Sequence, residues 1–180
     1  SWNNFLNLMK IKLFSVLIFL FLFAPLHSAE KIAYLDVEKI MQDSIAGKSI
    51  ISQLKKKRET SITKLKKKET EIFEKEKKLV SQKNILSKDE FESKLKELRN
   101  EISSYQKDRN KSVNDITNSR VKASTKLIQK LNPILEDYSK RESIKIIIQK
   151  KHIVIGKKEY DITNDILELV NQKVKKIKID

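Results

Sequence analysis

The sequence has no cysteine, two glycines, two prolines and one tryptophan among 180 residues. Without thiols there is no disulfide, no thiol nucleophile, no cysteine-built zinc site and no lipidated cysteine. Typical proteins carry about 7% glycine and about 5% proline, so tight turns must be scarce here. Aromatic residues are also few, at 7%. Such a chain is not assembled from many short elements and points instead to a few long helices. Gly47 and Gly156 stand alone, which excludes a phosphate-cradling glycine loop. The longest apolar run, Leu13 to Phe23, is interrupted only by Ser15. It falls short of the roughly 18 to 20 residues that a membrane-spanning helix needs. Acidic residues are in deficit: 24 Asp and Glu face 39 Lys and Arg, a formal charge of +15. A balance this basic calls for an acidic partner.

The apolar run has a recognisable setting. Met9-Lys10-Ile11-Lys12 precedes it, and Ala24-Pro25-Leu26-His27-Ser28-Ala29 follows. That is the basic, apolar and cleavage-region order of a secretory signal peptide. Residues 9–29 are therefore expected to direct export to the periplasm, with 1–8 an upstream extension and cleavage after Ser28 or Ala29. An uncleaved anchor is the alternative. Export narrows the acidic company to membrane surface, lipopolysaccharide and other exported proteins. It argues against nucleic acid, which charge alone would suggest.

From Glu30 the pattern changes. Lys31 to Val37 reads as a strand buried on both faces, and Glu38 to Ser44 as the start of a helix. Between Ile50 and Leu86 there is no proline or glycine. Positions 51, 58, 65, 72, 79 and 86 are Ile, Arg, Leu, Ile, Leu and Leu, one apolar stripe with a seven-residue repeat. The companion positions are mostly polar, so the seam is about half as wide as a stable coiled coil wants. Ser87-Lys88-Asp89-Glu90 matches a capping box and starts a second helix. Its stripe runs through Phe91, Leu95, Leu98, Ile102 and Tyr105 and continues weakly to Leu131. Two helices of similar length joined by a tight turn make an antiparallel hairpin reaching about 54 Å. Pro133 either begins a short continuation to Lys140 or kinks one continuous helix. Ile144 to Gln149 and His152 to Gly156 read as a β-hairpin, and Thr163 as the N-cap of a closing helix.

The expected fold is α+β and mostly α: a small β body with a long antiparallel helical-hairpin arm. The body takes residues 30–50 and 132–180, and the arm 51–131. Core candidates are Ile32, Tyr34, Leu35, Ile146, Ile148, Ile153 and Ile155. So small a core is near the size at which oligomerisation is needed for stability, and a homo-oligomer is expected.

No catalytic constellation can be assembled. His152 is the single histidine outside the export signal, and Asp161 and Asp165 suit a helix start. No enzyme activity, cofactor or metal is expected. The charge is more telling: residues 51–131 hold 23 basic and 12 acidic residues, a net +11, and the rest of the chain after residue 29 adds +2. Lys66, Lys67 and Lys68 are candidates for steering an acidic partner to the arm. Phe73, Val80, Ile85 and Phe91, nearer the tip, exceed what a narrow seam can bury and are candidates for apolar contact with it.

These elements together carry a resemblance. The strand Ile32-Ala33-Tyr34-Leu35-Asp36-Val37 leads into Glu38-Lys39-Ile40-Met41. Ala46-Gly47-Lys48 then introduces the Lys/Glu-rich arm, and Asp161-Ile162-Thr163 precedes the closing helix. Over essentially the whole chain after the signal, this resembles the Skp/OmpH family of periplasmic chaperones. The resemblance implies a homotrimer with a β-barrel-like body and three arms enclosing a cavity. It implies an ATP-independent holdase that keeps unfolded outer membrane proteins from aggregating, with lipopolysaccharide as a further partner. A structural envelope coiled-coil spacer is the competing expectation, and a nucleic-acid-binding basic protein ranks below it.

Overall fold

In a computed structural model the described residues run from Glu30 to Ile179, and the expected export signal at 9–29 lies outside them. Strand β1 (Lys31–Leu35) buries Ala33, Tyr34 and Leu35 but leaves Ile32 exposed, so it is covered on both faces only from Ala33 onward. Asp36 ends the strand and caps helix α1 (Val37–Asp43), its Oδ1 accepting the Lys39 N–H at 2.9 Å. Ser44 closes α1 and opens α2 (Ile45–Ser81), and its buried hydroxyl oxygen accepts the Gly47 N–H at 3.0 Å. Glycine is required at 47 by close approach: a Cβ there would stand 2.0 Å from the Met41 carbonyl oxygen. The Ala46-Gly47 pair thus lets the first turn of α2 lie backbone to backbone on the last turn of α1.

At the far end of α2 the chain reverses and α3 (Lys88–Glu142) begins. The capping box forms as the sequence predicts. Ser87 Oγ accepts the Glu90 N–H at 3.3 Å, and the Glu90 carboxylate accepts the Ser87 N–H at 3.1 Å. Hydrogen bonds from Ser87 hold the Glu90 carboxyl below its ordinary pKa. The two helices are not of similar length, because α3 passes through Pro133 and reaches 55 residues against 37 for α2. A proline inside a helix costs about 3 kcal/mol through a lost hydrogen bond and ring clash. Burial of Leu131, Ile134 and Tyr138 on either side offsets that cost. Ser143 ends α3 in the left-handed region, φ 56°, and turns the chain into β2 (Ile144–Gln149).

The expected β-hairpin does not form. Strand β2 pairs with β1 instead, in a two-stranded sheet. Lys150–His152 make a single 3₁₀ turn, and Val154 and Ile155 are 98% and 91% exposed. Lys150-Lys151 lacks the residues that adopt positive φ in a two-residue hairpin turn. Other contacts then claim the segment. The Tyr34 hydroxyl donates to the Lys157 carbonyl at 3.1 Å, and Gly156 lies so near the Tyr34 ring that a Cβ would meet it at 2.8 Å.

Helix α4 (Thr163–Lys173) closes the body. Thr163 is its first helical residue and not its N-cap, because its side chain is committed elsewhere. Its Oγ1 accepts the Asp36 N–H at 2.9 Å, while Asp161 Oδ1 accepts the Thr163 N–H at 3.0 Å and its hydroxyl. A parallel bridge joins Tyr34 to Asp161. The Asp-Ile-Thr stretch is therefore a clasp between β1 and α4. Partial burial pushes the Asp161 carboxyl up, but the bonds from Thr163 and nearby Lys150 outweigh it and hold the pKa below the ordinary value.

One apolar cluster unites these elements. It includes Leu35, Ile40, Ile50, Leu127, Ile134, Ile144, Ile166 and Val170. It also takes in Leu54, Ala123 and Leu131, so the core reaches several residues into both arm helices, beyond the body limits expected from sequence.

Candidate binding surface of the helical arm

Past Leu54 the two long helices are joined by a different kind of seam. Lys57 Nζ donates to Ser119 Oγ at 2.7 Å, Ser61 and Ser112 bond through their hydroxyls, Lys68 pairs with Asp108, and Lys75 Nζ reaches Glu101 at 2.6 Å. Half-buried Leu65, Ile72, Leu95, Ile102 and Ile116 alternate with these pairs. Near the tip Leu79 and Leu98 are buried. The hydrogen bond and charge of Lys68 hold the Asp108 carboxyl below its ordinary pKa, and the bond to Glu101 raises that of Lys75.

The buried line on α2 runs from Ala46 and Gly47 through Ile50 to Leu54, whereas Ile51 and Arg58 of the expected stripe are exposed. A straight helix of 3.6 residues per turn drifts about 20° per heptad against a strict seven-residue repeat. The stripe therefore meets α3 along the outer arm and misses it near the base.

Among the residues singled out from sequence, Phe73, Val80 and Ile85 are exposed and Phe91 is half-buried at the start of α3. Lys66 and Lys67 face solvent, while Lys68 turns into the seam, so the three lysines do not form one patch. Tyr34 and Leu35 are in the body's interior and Ile153 is half-buried. Ile32, Ile146, Ile148 and Ile155 are exposed on this single chain. They leave the body with aliphatic surface that its own helices do not cover.

Two grooves flank the arm where Ser61 meets Ser112, and neither was anticipated. The larger, about 810 Å³, has lysines in its lining: Lys56, Lys57, Lys64, Lys68 and Lys111. The smaller, about 420 Å³, brings Arg58, Arg109 and Arg120 beside Ile62 and Val113. Serines at seam positions were the available signal, since small side chains between two helices leave space on both sides. Among the described residues, no group of three or more His, Asp or Glu is placed to hold a metal ion.

A family model described as outer membrane protein (OmpH-like) matches residues 31–170, stopping short of the final segment. No curated relative matches the chain in sequence. A crystal structure from Caulobacter crescentus CB15, described as an OmpH-like outer membrane chaperone, shares the fold. It superposes with a TM-score of 0.80 at 16% identity, covering 85% of this chain and 90% of its own.

Proposed function

The chain belongs to the OmpH-like outer membrane protein family, and from that premise we propose that it is an ATP-independent periplasmic holdase for unfolded outer membrane proteins. One observation carries the reading: a long arm that is strongly basic, shows apolar side chains near its tip and buries no apolar residue of α2 between Leu54 and Leu79. Charge draws in an acidic unfolded chain, raising capture rates more than it sets specificity. Phe73, Val80, Ile85 and Phe91 then supply scattered apolar contact. Many weak contacts shield a client without trapping it. The same cations favour lipopolysaccharide or an anionic membrane surface as a second partner.

The cavity of this mechanism needs several arms. Ile32, Ile146, Ile148 and Ile155, exposed on the lone chain, support assembly of the bodies into a homotrimer. Residues 30–50 and 132–180 would then form the assembling body, and 51–131 the client-holding arm. Export by the segment at 9–29 would place the trimer in the periplasm.

The test dilutes a urea-unfolded outer membrane β-barrel into near-physiological salt with and without the protein, following light scattering. Suppressed aggregation at about one trimer per client, without nucleotide, is expected. Unchanged scattering would overturn the holdase reading and favour a structural spacer of the envelope.

A further inference from the structure

After α4 the chain continues as Val174–Ile179 without regular structure. Val174 and Ile177 are buried and Ile179 is half-buried against the core, while Lys175, Lys176 and Lys178 are exposed. A single side chain of α2 grips its backbone. Gln53 Nε2 donates to the Ile177 carbonyl at 2.7 Å, and Gln53 Oε1 accepts the Ile179 N–H at 3.3 Å. The amide brackets Lys178 with one donor and one acceptor, the pair that a neighbouring parallel strand would present. These bonds are indifferent to the side chain they bracket.

Gln53 and Ile179 also line the larger groove. Ile179, held through its N–H by Gln53, thus already occupies the end of the groove nearest the body. Farther along, Lys56, Lys57 and Lys64 supply positive charge, with Leu65 and Ile116 offering apolar contact. Asp108 and Asp115 lie in the lining too, but Lys68 and Lys111 engage them. Five lysines against two aspartates leave the groove with a net charge of +3. Along α2 the span from Gln53 to Lys68 rises about 22 Å, the length of roughly seven extended residues.

We propose that this groove binds an extended peptide segment in which acidic and apolar residues are interspersed, and that Ile177–Ile179 is its built-in competitor. The proposal rests on the holdase reading in taking unfolded chain as the ligand, and it names where and in what form that chain binds. The one charge of Ile177–Ile179, on Lys178, has the wrong sign for a lysine-lined groove, and Lys175 and Lys176 just before it add to the mismatch. The tail is therefore a weak occupant that an acidic segment displaces, while backbone bonding to Gln53 stays available to whatever sequence replaces it.

The experiment measures binding of a fluorescein-labelled seven-residue peptide of alternating Glu and Leu by anisotropy at near-physiological salt. Three proteins are compared: the parent, a chain ending at Lys176, and the full chain with Ile177→Ser and Ile179→Ser, which keeps every lysine. Binding at least fivefold tighter in the tail variants is expected, and at least tenfold weaker after Lys56→Glu with Lys64→Glu. If the shortened chain fails to fold by circular dichroism, the serine pair carries the comparison. Equal affinity with and without a docked tail would overturn the competitor. Binding that survives charge reversal would place the peptide elsewhere and overturn the groove. No peptide binding, with barrel aggregation still suppressed, would overturn this inference and leave the holdase reading standing. Loss of both activities would overturn both.

Discussion

The same two helices build two unlike regions. Near the body, α2 and α3 contribute Ile50, Leu54, Ala123, Leu127 and Leu131 to a continuous apolar core. Farther out they meet through Lys57–Ser119, Ser61–Ser112, Lys68–Asp108 and Lys75–Glu101, with half-buried aliphatics between. Dispersion and water exclusion hold the first region, and those are lost steeply when a buried atom is removed. Polar pairs in a partly solvated seam hold most of the second, and they can separate and re-form at lower cost than a packed core. The difference assigns stability to the base and adaptability to the arm, as the holdase proposed above would require.

Substitutions should expose that contrast. Leu127 is fully buried, so Leu127→Ala should cost about 2–5 kcal/mol of stability in urea unfolding. Ile72→Ala, half-buried in the outer seam, should cost visibly less and leave the midpoint of the body's unfolding nearly in place. Equal losses would erase the distinction between the regions. Next in size is Gly47→Ala, where the new Cβ meets the Met41 carbonyl at 2.0 Å. Forcing α1 and α2 apart should cost about 1–3 kcal/mol. The test is thermal unfolding, and an unaffected midpoint would mean that the backbone yields more easily than a packed base allows.

The smallest effect is electrostatic. Asp108 has a folded pKa below its ordinary value of 3.8, first through the Lys68 hydrogen bond and then through its charge. Its contribution is complete above the unfolded value and disappears as pH falls through the depressed folded value. Amide exchange followed from pH 5 to 2 should therefore show the middle of the arm opening in the acid range, with Asp108→Asn showing the same opening at neutral pH. Asp161 in the body is also depressed, so the clasp weakens in acid as well, but there a buried core remains beneath it. Simultaneous opening of base and arm would contradict the comparison.

Much of this architecture was legible before the structure. A capping box at Ser87–Glu90 and the absence of breakers from Ile50 to Leu86 depend only on residues within a turn or two of each other. Their outcome is local chemistry: α3 starts behind Ser87 as the capping box said, while α2 runs from Ile45 to Ser81 and leaves Leu86 of the expected stripe in the turn. Pro133 was legible as a problem but not as an outcome, because continuation of α3 through it depends on what Leu131, Ile134 and Tyr138 pack against. The strand at Ile144 was visible, but its partner was not. The expected partner segment ends with Ile155 in solvent, while β1, distant in sequence, takes the pairing. Thr163 shows the same limit: its type suits a helix cap, but the Asp36 N–H, 127 residues away, uses its oxygen.

By itself, then, the sequence determined the long helices, the start of the second at its capping box and their charge, since propensity and capping act over short stretches of chain. Tertiary structure alone decided which strands pair, which lysines turn into the seam, where serines open grooves and where Gln53 seats the tail. Each of these depends on two segments far apart in sequence arriving side by side, and no local pattern encodes their register.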